Sequence, residues 1–332
     1  MQKKTDYNLL PNNTFGINAK ADIFMEYDSV EDLQDLMPEI QDKRILHIGG
    51  GSNLLFTDDF HGVILHSRIK GVEVVEQDSD HVLLKVGAAV VWDQLVELTV
   101  EKGWYGIENL SLIPGETGAA AVQNIGAYGV EAKDVIQTVH TVDLKTGEIR
   151  LFQNAECQYA YRHSIFKAEL KGRYAVTHVT IRLSKIYEPK LNYGNMRQAL
   201  GNAEVTAQNV RKAIIDMRNE KLPDPKVLGN AGSFFMNPVV THEKYEELKT
   251  RYPDIPAFVM DHGVKIPAGW LIEQSGWKGK ALGKAAVHDK QALVLVNLGG
   301  ADATDIVALS DEVRKTVSDK FGIEISPEVN FI

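Results

Sequence analysis

Arg44-Ile-Leu-His-Ile-Gly-Gly-Gly-Ser-Asn-Leu-Leu-Phe56 is a short apolar strand that enters a glycine-rich turn and leaves as a second apolar run. Such a turn exposes backbone N–H groups that can cradle a phosphate. Two familiar phosphate folds are excluded by its spelling. A Walker loop needs Gly-Lys-Ser/Thr after its glycines, and the dinucleotide fingerprint G-x-G-x-x-G needs glycine where Leu54 stands. Gly49-Gly-Gly-Ser-Asn53 by itself fits a phosphate cradle or a plain tight turn.

The neighbouring segments do not repeat a regular strand–helix–strand unit. Upstream, Ser29 caps a helix carrying Leu33 and Leu36, which Pro38 is expected to end. Downstream come strands at 63–65, 72–75 and 81–86, then a helix over 90–102 stopped by Gly103. Thr138–Leu144 and Glu148–Phe152 flank Lys145-Thr-Gly147 as a hairpin. Ala175, Thr177, Val179, Ile181 and Leu183 alternate along one strand face. The texture then changes. A helix over 205–221 carries Val210, Ala213, Ile214 and Met217 on its apolar stripe and breaks at Leu222-Pro-Asp-Pro225, near an expected domain boundary. Capped helices at 241–251 and 304–321 flank a buried strand at 291–298. Runs of strands and runs of helices point to an α+β fold.

The chain has 332 residues, 44% hydrophobic and 24% charged, which is globular composition with room for two or three domains. Its net charge of −9 and the lack of a dense Lys/Arg block disfavour nucleic acid as a partner. A small anion remains open, because a few local cations outweigh net charge. The single Cys157 excludes internal disulfides and thiolate zinc sites and suits a reducing cytoplasm. No signal peptide or membrane-spanning run is expected. The histidines lack H-x-H or H-E-x-x-H spacing, so no metal site is expected.

Four further segments carry chemistry. Ile113-Pro-Gly-Glu-Thr-Gly118 and Asn124-Ile-Gly-Ala-Tyr-Gly129 suit backbone lying against a flat ligand, and a second glycine-rich loop strengthens the case for a pyrophosphate-bearing cofactor. Arg162, between aromatics, is either a surface guanidinium with a packed stem or a group aimed at a carboxylate or developing enolate. Arg218 and Lys221 share a helix face near its C-terminus, where cations are favoured in any case. Ser233 sits in Gly229-Asn-Ala-Gly-Ser-Phe-Phe-Met-Asn237, which is not a G-x-S-x-G elbow, and Glu328 sits in an apolar tail.

Taken in order, Asn13–Gly16, Gly49–Phe56, Ile113–Gly129, Tyr161–Lys167, Leu222–Pro238, Ala268–Ile272, Ala285–His288 and Pro327–Val329 closely resemble the UDP-N-acetylenolpyruvoylglucosamine reductase family, also called UDP-N-acetylmuramate dehydrogenases. Leu191-Asn-Tyr193-Gly resembles the extra tyrosine loop of one subclass. The resemblance implies an α+β fold with a two-subdomain FAD-binding part of the vanillyl-alcohol-oxidase type and a separate substrate domain. The implied divisions are 1–69 with the tail 322–332 returning to it, 70–204, and 205–321.

It further implies non-covalent FAD, NADPH as co-substrate, and reduction of an enolpyruvyl ether in peptidoglycan precursor synthesis. Ser233 would give a proton to C2, while Arg162 and Glu328 flank the substrate carboxylate. Gly49, Gly50, Gly51, Ser52, Asn53, Leu54, Pro114, Gly115, Gly118, Asn124, Gly126, Ala127 and Gly129 would hold FAD. Tyr193, Arg218, Lys221, Asn237, Lys278 and Gln291 would bind the nucleotide sugar. Ser326, Asn330 and Ala119–Ala121 depart from the family's usual pattern. The implied protein is a cytoplasmic monomer acting on small molecules. A flavin oxidase of the same fold would lack the Ser233/Glu328 pair and often tether its flavin to histidine. A nucleotide-sugar-binding regulator would need no flavin loops.

Overall fold

A computed structural model describes residues 1–332. The chain forms two compact units, the first from Met1–Tyr7, Ala21–Gly50 and Phe60–Arg218, the second from Asn8–Lys20, Gly51–Asp59 and Asn219–Ile332. No helix is long and apolar enough to cross a membrane.

The first unit holds two sheets. In one, strands Lys20–Tyr27, Phe60–Ser67 and Ile45–Ile48 run parallel in that spatial order, with Gln2–Asn8 at the outer edge. Helix Val30–Ile40 buries Leu33, Leu36 and Ile40 against Met25, Val63 and Leu65. Its first turn is fixed as expected, with Ser29 Oγ accepting from the Asp32 N–H at 3.0 Å. Pro38 does not end this helix, contrary to expectation; it lies inside the last turn, and the chain stays helical to Ile40. The only intrahelical bond Pro38 forfeits is its own donation to Gln34, and the buried Ile40 beyond it gains packing that offsets this loss.

The other sheet is antiparallel, in the order 149–153, 136–143, 174–184, 81–87, 72–77. The expected face of Tyr174–Ser184 is buried at Ala175, Thr177, Val179, Ile181 and Leu183, and Val176 and Thr180 on the other face are buried too, so the strand is enclosed on both sides at these positions. Helix Trp92–Glu101 lays Leu95, Val96 and Val100 into the same core.

The second unit packs helices His242–Arg251, Ala268–Gln274 and Ala303–Phe321 with an antiparallel sheet of strands 229–233, 294–297, 285–287 and 281–282. Val313, Val317 and Phe321 form the buried stripe of the last helix. The C-terminal residues Asn330–Phe331 pair in parallel with Leu54–Leu55.

Candidate functional site

The parallel strand Ile45–Ile48 ends at Gly49, so the first glycine loop leaves from the C-terminal edge of the sheet. That is where open parallel sheets take their ligands. The second loop reaches the same place in the first unit. A Cβ built on Gly49 would lie 3.1 Å from Cβ of Ala119 and 3.3 Å from Oε2 of Glu116. One built on Gly50 would lie 3.7 Å from Cα of Gly115. Two loops some 65 residues apart in sequence thus face each other through glycine and alanine. Gly50 is exposed and a Cβ there would meet nothing closer, so this edge is a backbone cradle that a side chain would fill. These residues fit a cofactor whose diphosphate lies against main-chain N–H groups.

The glycines are not equivalent. Gly51 has φ +69°, and a Cβ there would lie 1.8 Å from the Asn12 carbonyl oxygen, so this glycine is required by the protein's own backbone. Asn53 is tied to the C-terminal tail: its amide donates to the Glu328 carbonyl at 3.3 Å, and its carbonyl accepts from the main-chain and side-chain nitrogens of Asn330 at 3.1 Å. Asn330 therefore serves as a tail anchor. Leu54 is in the strand pair with Asn330, while Ser52 is partly exposed and Pro114 exposed. Gly118 packs so close to Ala88 that a Cβ would fall 2.9 Å from the alanine's own.

The remainder of the second loop is backbone held under strain. Among non-glycine residues with left-handed φ, all but Asp6 fall at Leu112, Asn124, Tyr128, Gln158 and Arg162, in or beside the segments singled out from sequence. Such conformations persist where surroundings over-determine them. Asn124 closes helix Thr117–Gln123 and bonds Glu131, the Ala160 carbonyl and the Lys133 N–H. Gly126 and Ala127 form a two-residue strand with Val130–Glu131. Arg162 donates to the Gly126 carbonyl at 2.8 Å, and its Nη1 would be 3.2 Å from a Cβ on Gly126. The guanidinium and the second glycine-rich loop are thereby set against each other.

Two substrate candidates also lie in this unit. Arg218 faces the Tyr128 hydroxyl, and its Nε is buried with no partner. Burial pulls its guanidinium below its ordinary pKa. Tyr193 is exposed, and its Cβ would stand 3.2 Å from one on Gly129, so the glycine makes room for the tyrosine. Asn109, which sequence reading missed, donates to both the Tyr128 and Lys190 carbonyls at 2.9 Å and so joins the two loops. Nothing in the spelling around Asn109 signals this.

The second unit brings Ser233 and Glu328 together. The Glu328 N–H donates to the Phe234 carbonyl at 2.7 Å, Phe235 bridges Pro327, and the Met236 N–H donates to the Ser326 carbonyl at 2.9 Å. Ser233 is exposed at the end of its strand, and Glu328 is half-buried. Asn237 spends its side-chain oxygen on the Ala268 N–H at 2.9 Å, at the start of a helix. Lys221 is exposed at the end of its helix. Lys278 is paired with Glu273 at 3.0 Å, and the Gln291 oxygen accepts from the Leu293 N–H at 3.3 Å.

Residues 21–152 match the model of an FAD binding domain, and residues 224–332 match that of the C-terminal domain of UDP-N-acetylenolpyruvoylglucosamine reductase. The reductase of that name from Bacteroides fragilis (strain YCH46) is 57% identical over 329 residues, covering 98% of this chain and 99% of the relative. The reductase from Porphyromonas gingivalis (strain W83) is 48% identical over the full length of both chains. The crystal structure of the Thermus caldophilus reductase superposes with a TM-score of 0.70 at 20% identity, covering 99% of this chain and 98% of that one, and so shares the fold. The chain is α+β, carries an FAD-binding domain, and belongs to the UDP-N-acetylenolpyruvoylglucosamine reductase family.

Proposed function

We propose that the protein reduces the enolpyruvyl ether of UDP-N-acetylglucosamine enolpyruvate to UDP-N-acetylmuramate, a step in peptidoglycan precursor synthesis, with NADPH as co-substrate. The loops around Gly49, Gly50 and Gly115 would hold FAD, which would supply the hydride-transfer chemistry between NADPH and C3 of the enolpyruvyl group. The chain's own residues handle the charge and the proton. Reduction at C3 drives negative charge onto the substrate carboxylate, where the Arg162 guanidinium stabilises it electrostatically. Protonated Glu328 donates a hydrogen bond to the same carboxylate. The Ser233 hydroxyl gives its proton to C2; a neutral serine serves against so basic a carbanion because it is in position. Tyr193, Arg218, Lys221 and Asn237 hold the diphosphate through charge-assisted and neutral hydrogen bonds. Lys278 and Gln291 are assigned to the sugar-nucleotide end.

The observation that carries this reading is the backbone pairing that sets Glu328 beside the Ser233 strand. FAD is held without a covalent bond. Residues 1–69, with the tail 322–332, and residues 70–204 are assigned as the two FAD-binding subdomains, and 205–321 as the substrate domain. The protein is assigned as a cytoplasmic monomer without a nucleic-acid partner. NADPH oxidation is the test: turnover that requires the enolpyruvyl substrate supports the reading, and its absence in FAD-loaded protein overturns it.

A further inference from the structure

His66 lies at the C-terminal end of the parallel sheet, beside the cofactor loops, and both its ring nitrogens face carboxylates. Nδ1 is 3.2 Å from Oε1 of Glu26, and Nε2 is 3.3 Å from Oε1 of Glu116. Glu116 is the residue whose other oxygen stands against Gly49, at the entry to helix Thr117–Gln123. All three side chains are largely buried, with 16%, 14% and 14% exposure for His66, Glu26 and Glu116. A neutral imidazole has one N–H and one lone pair. It can donate to one carboxylate only, and its lone pair would then face the other oxygen. Imidazolium alone satisfies both contacts.

We propose that His66 is a positioning residue: its protonated ring clamps Glu116, and with it the second glycine loop, onto the sheet beneath the first loop, so that FAD is gripped by the protonated state and loosened by its loss. The clamp also removes an electrostatic conflict. A free Glu116 carboxylate at the cradle repels a diphosphate, and an ion-paired one repels it far less.

The charged groups around the ring agree. Glu26 is also approached by Lys4 from the outer strand and by Arg68, each at 3.8 Å, so it already has cationic partners. Glu116 has His66 as its cation. On the far side Tyr27 donates to or accepts from His47 at 2.7 Å. Burial, aided by repulsion from His66, lowers His47 to about 4, so His47 stays neutral across the physiological range. Burial raises the Tyr27 hydroxyl far out of that range. Burial alone would lower His66, but the hydrogen bond to and charge of Glu116, and then of Glu26, outweigh it and raise it above its ordinary 6.5. The sign follows: a group with a raised native pKa stabilises fully below its unfolded value and ceases to do so as pH rises through the native one.

This inference rests on the flavin reading of the loops, and the experiment separates the two. FAD affinity of the apoprotein is measured by flavin fluorescence between about pH 6 and about pH 9, where histidine titrates. The His66 ring is followed by NMR in the apoprotein without flavin. The expected result is a raised His66 titration, with FAD affinity falling about tenfold as the ring deprotonates, the loss of a charge-assisted contact. Glu116→Gln should bind FAD with a flat pH profile, because its amide can donate to the neutral Nε2 while Nδ1–H serves Glu26. His66→Gln should also flatten the profile. A His66 ring that is neutral at the acid end, or a wild-type slope retained in Glu116→Gln, overturns the proposal. FAD binding that is tight but independent of pH overturns it alone; no FAD binding at any pH overturns the flavin reading as well.

Discussion

Gly50→Ala and Gly51→Ala should fail in opposite ways, although they alter adjacent residues of one loop. At Gly51 the left-handed φ of +69° is disfavoured for alanine by about 1–2 kcal/mol. A Cβ there would lie 1.8 Å from the Asn12 carbonyl oxygen, so the backbone must move. That movement breaks the bond from the Thr14 N–H to the Gly51 carbonyl, 3.2 Å long, at about 1 kcal/mol. The expected loss is about 2–3 kcal/mol in the stability of the apoprotein, from these two contributions together. At Gly50 no positive φ is required, and the nearest atom to a new methyl is 3.7 Å away, so stability should change by less than about 0.5 kcal/mol. The methyl instead fills the cradle's open edge, and FAD affinity should fall by about tenfold or more, a cost of at least about 1.4 kcal/mol. Urea unfolding of the apoprotein gives the first quantity, and flavin fluorescence titration gives the second. If Gly50→Ala binds FAD as the wild type does, the open edge is not where the diphosphate lies and the cradle argument fails.

Other expectations follow from the same geometry. Ser233→Ala should keep NADPH-driven flavin reduction and slow reoxidation by the enolpyruvyl substrate by about 10²–10⁴-fold, the usual worth of a positioned proton donor; reoxidation at the wild-type rate in stopped-flow absorbance would remove Ser233 from the mechanism. Asp93 accepts from Arg211 at 2.6 and 3.1 Å and from the Leu112 N–H at 2.6 Å. Burial alone would raise its pKa, but these bonds lower it, so its contribution is present above the unfolded value near about 3.9 and is lost as pH falls through the native one. Asp93→Asn should cost about 2–4 kcal/mol at neutral pH and flatten the acid limb of the stability profile, and an unchanged limb in pH-dependent unfolding would contradict the assignment. Phe321→Ala, in the fully buried stripe of the last helix, should cost about 3–5 kcal/mol by denaturant unfolding. Denaturation should release the flavin from the polypeptide, and flavin that stays attached after denaturation would refute a non-covalent site.

What could be read from the chain divides by distance along it. The Ser29 cap, the 138–152 hairpin and the shared buried face of Ala175, Thr177, Val179, Ile181 and Leu183 are settled by residues within a turn or a pleat of one another, and each stands as expected. Pro38 shows where a local rule yields, since its missing N–H matters less in a last turn whose next apolar residue is buried. The candidate site is mostly non-local. The loop motifs were visible as glycines, but that Gly49 and Gly50 face Glu116 and Gly115 depends on the return of the chain after a whole sheet and helix. The same motif mixes two causes that spelling does not separate: Gly50 leaves an edge open, while Gly51 is dictated by Asn12. His66 looked unremarkable in sequence because its partners stand 40 and 50 residues away, with no spacing that a histidine motif would flag. Ser233 and Glu328 stand out in their local spelling, but their roles are legible only through resemblance, and it is the C-terminal tail, anchored by Asn330 on Asn53, that sets Glu328 beside the Ser233 strand. Asn330→Ala should therefore act at a distance. The tail loses its side-chain bond to the Asn53 carbonyl, about 1 kcal/mol, while the main-chain bond there remains, so the segment carrying Glu328 is held less firmly and substrate turnover should fall more than FAD affinity does. Equal losses in both would mean that the anchor serves the cofactor loop and not the carboxylate.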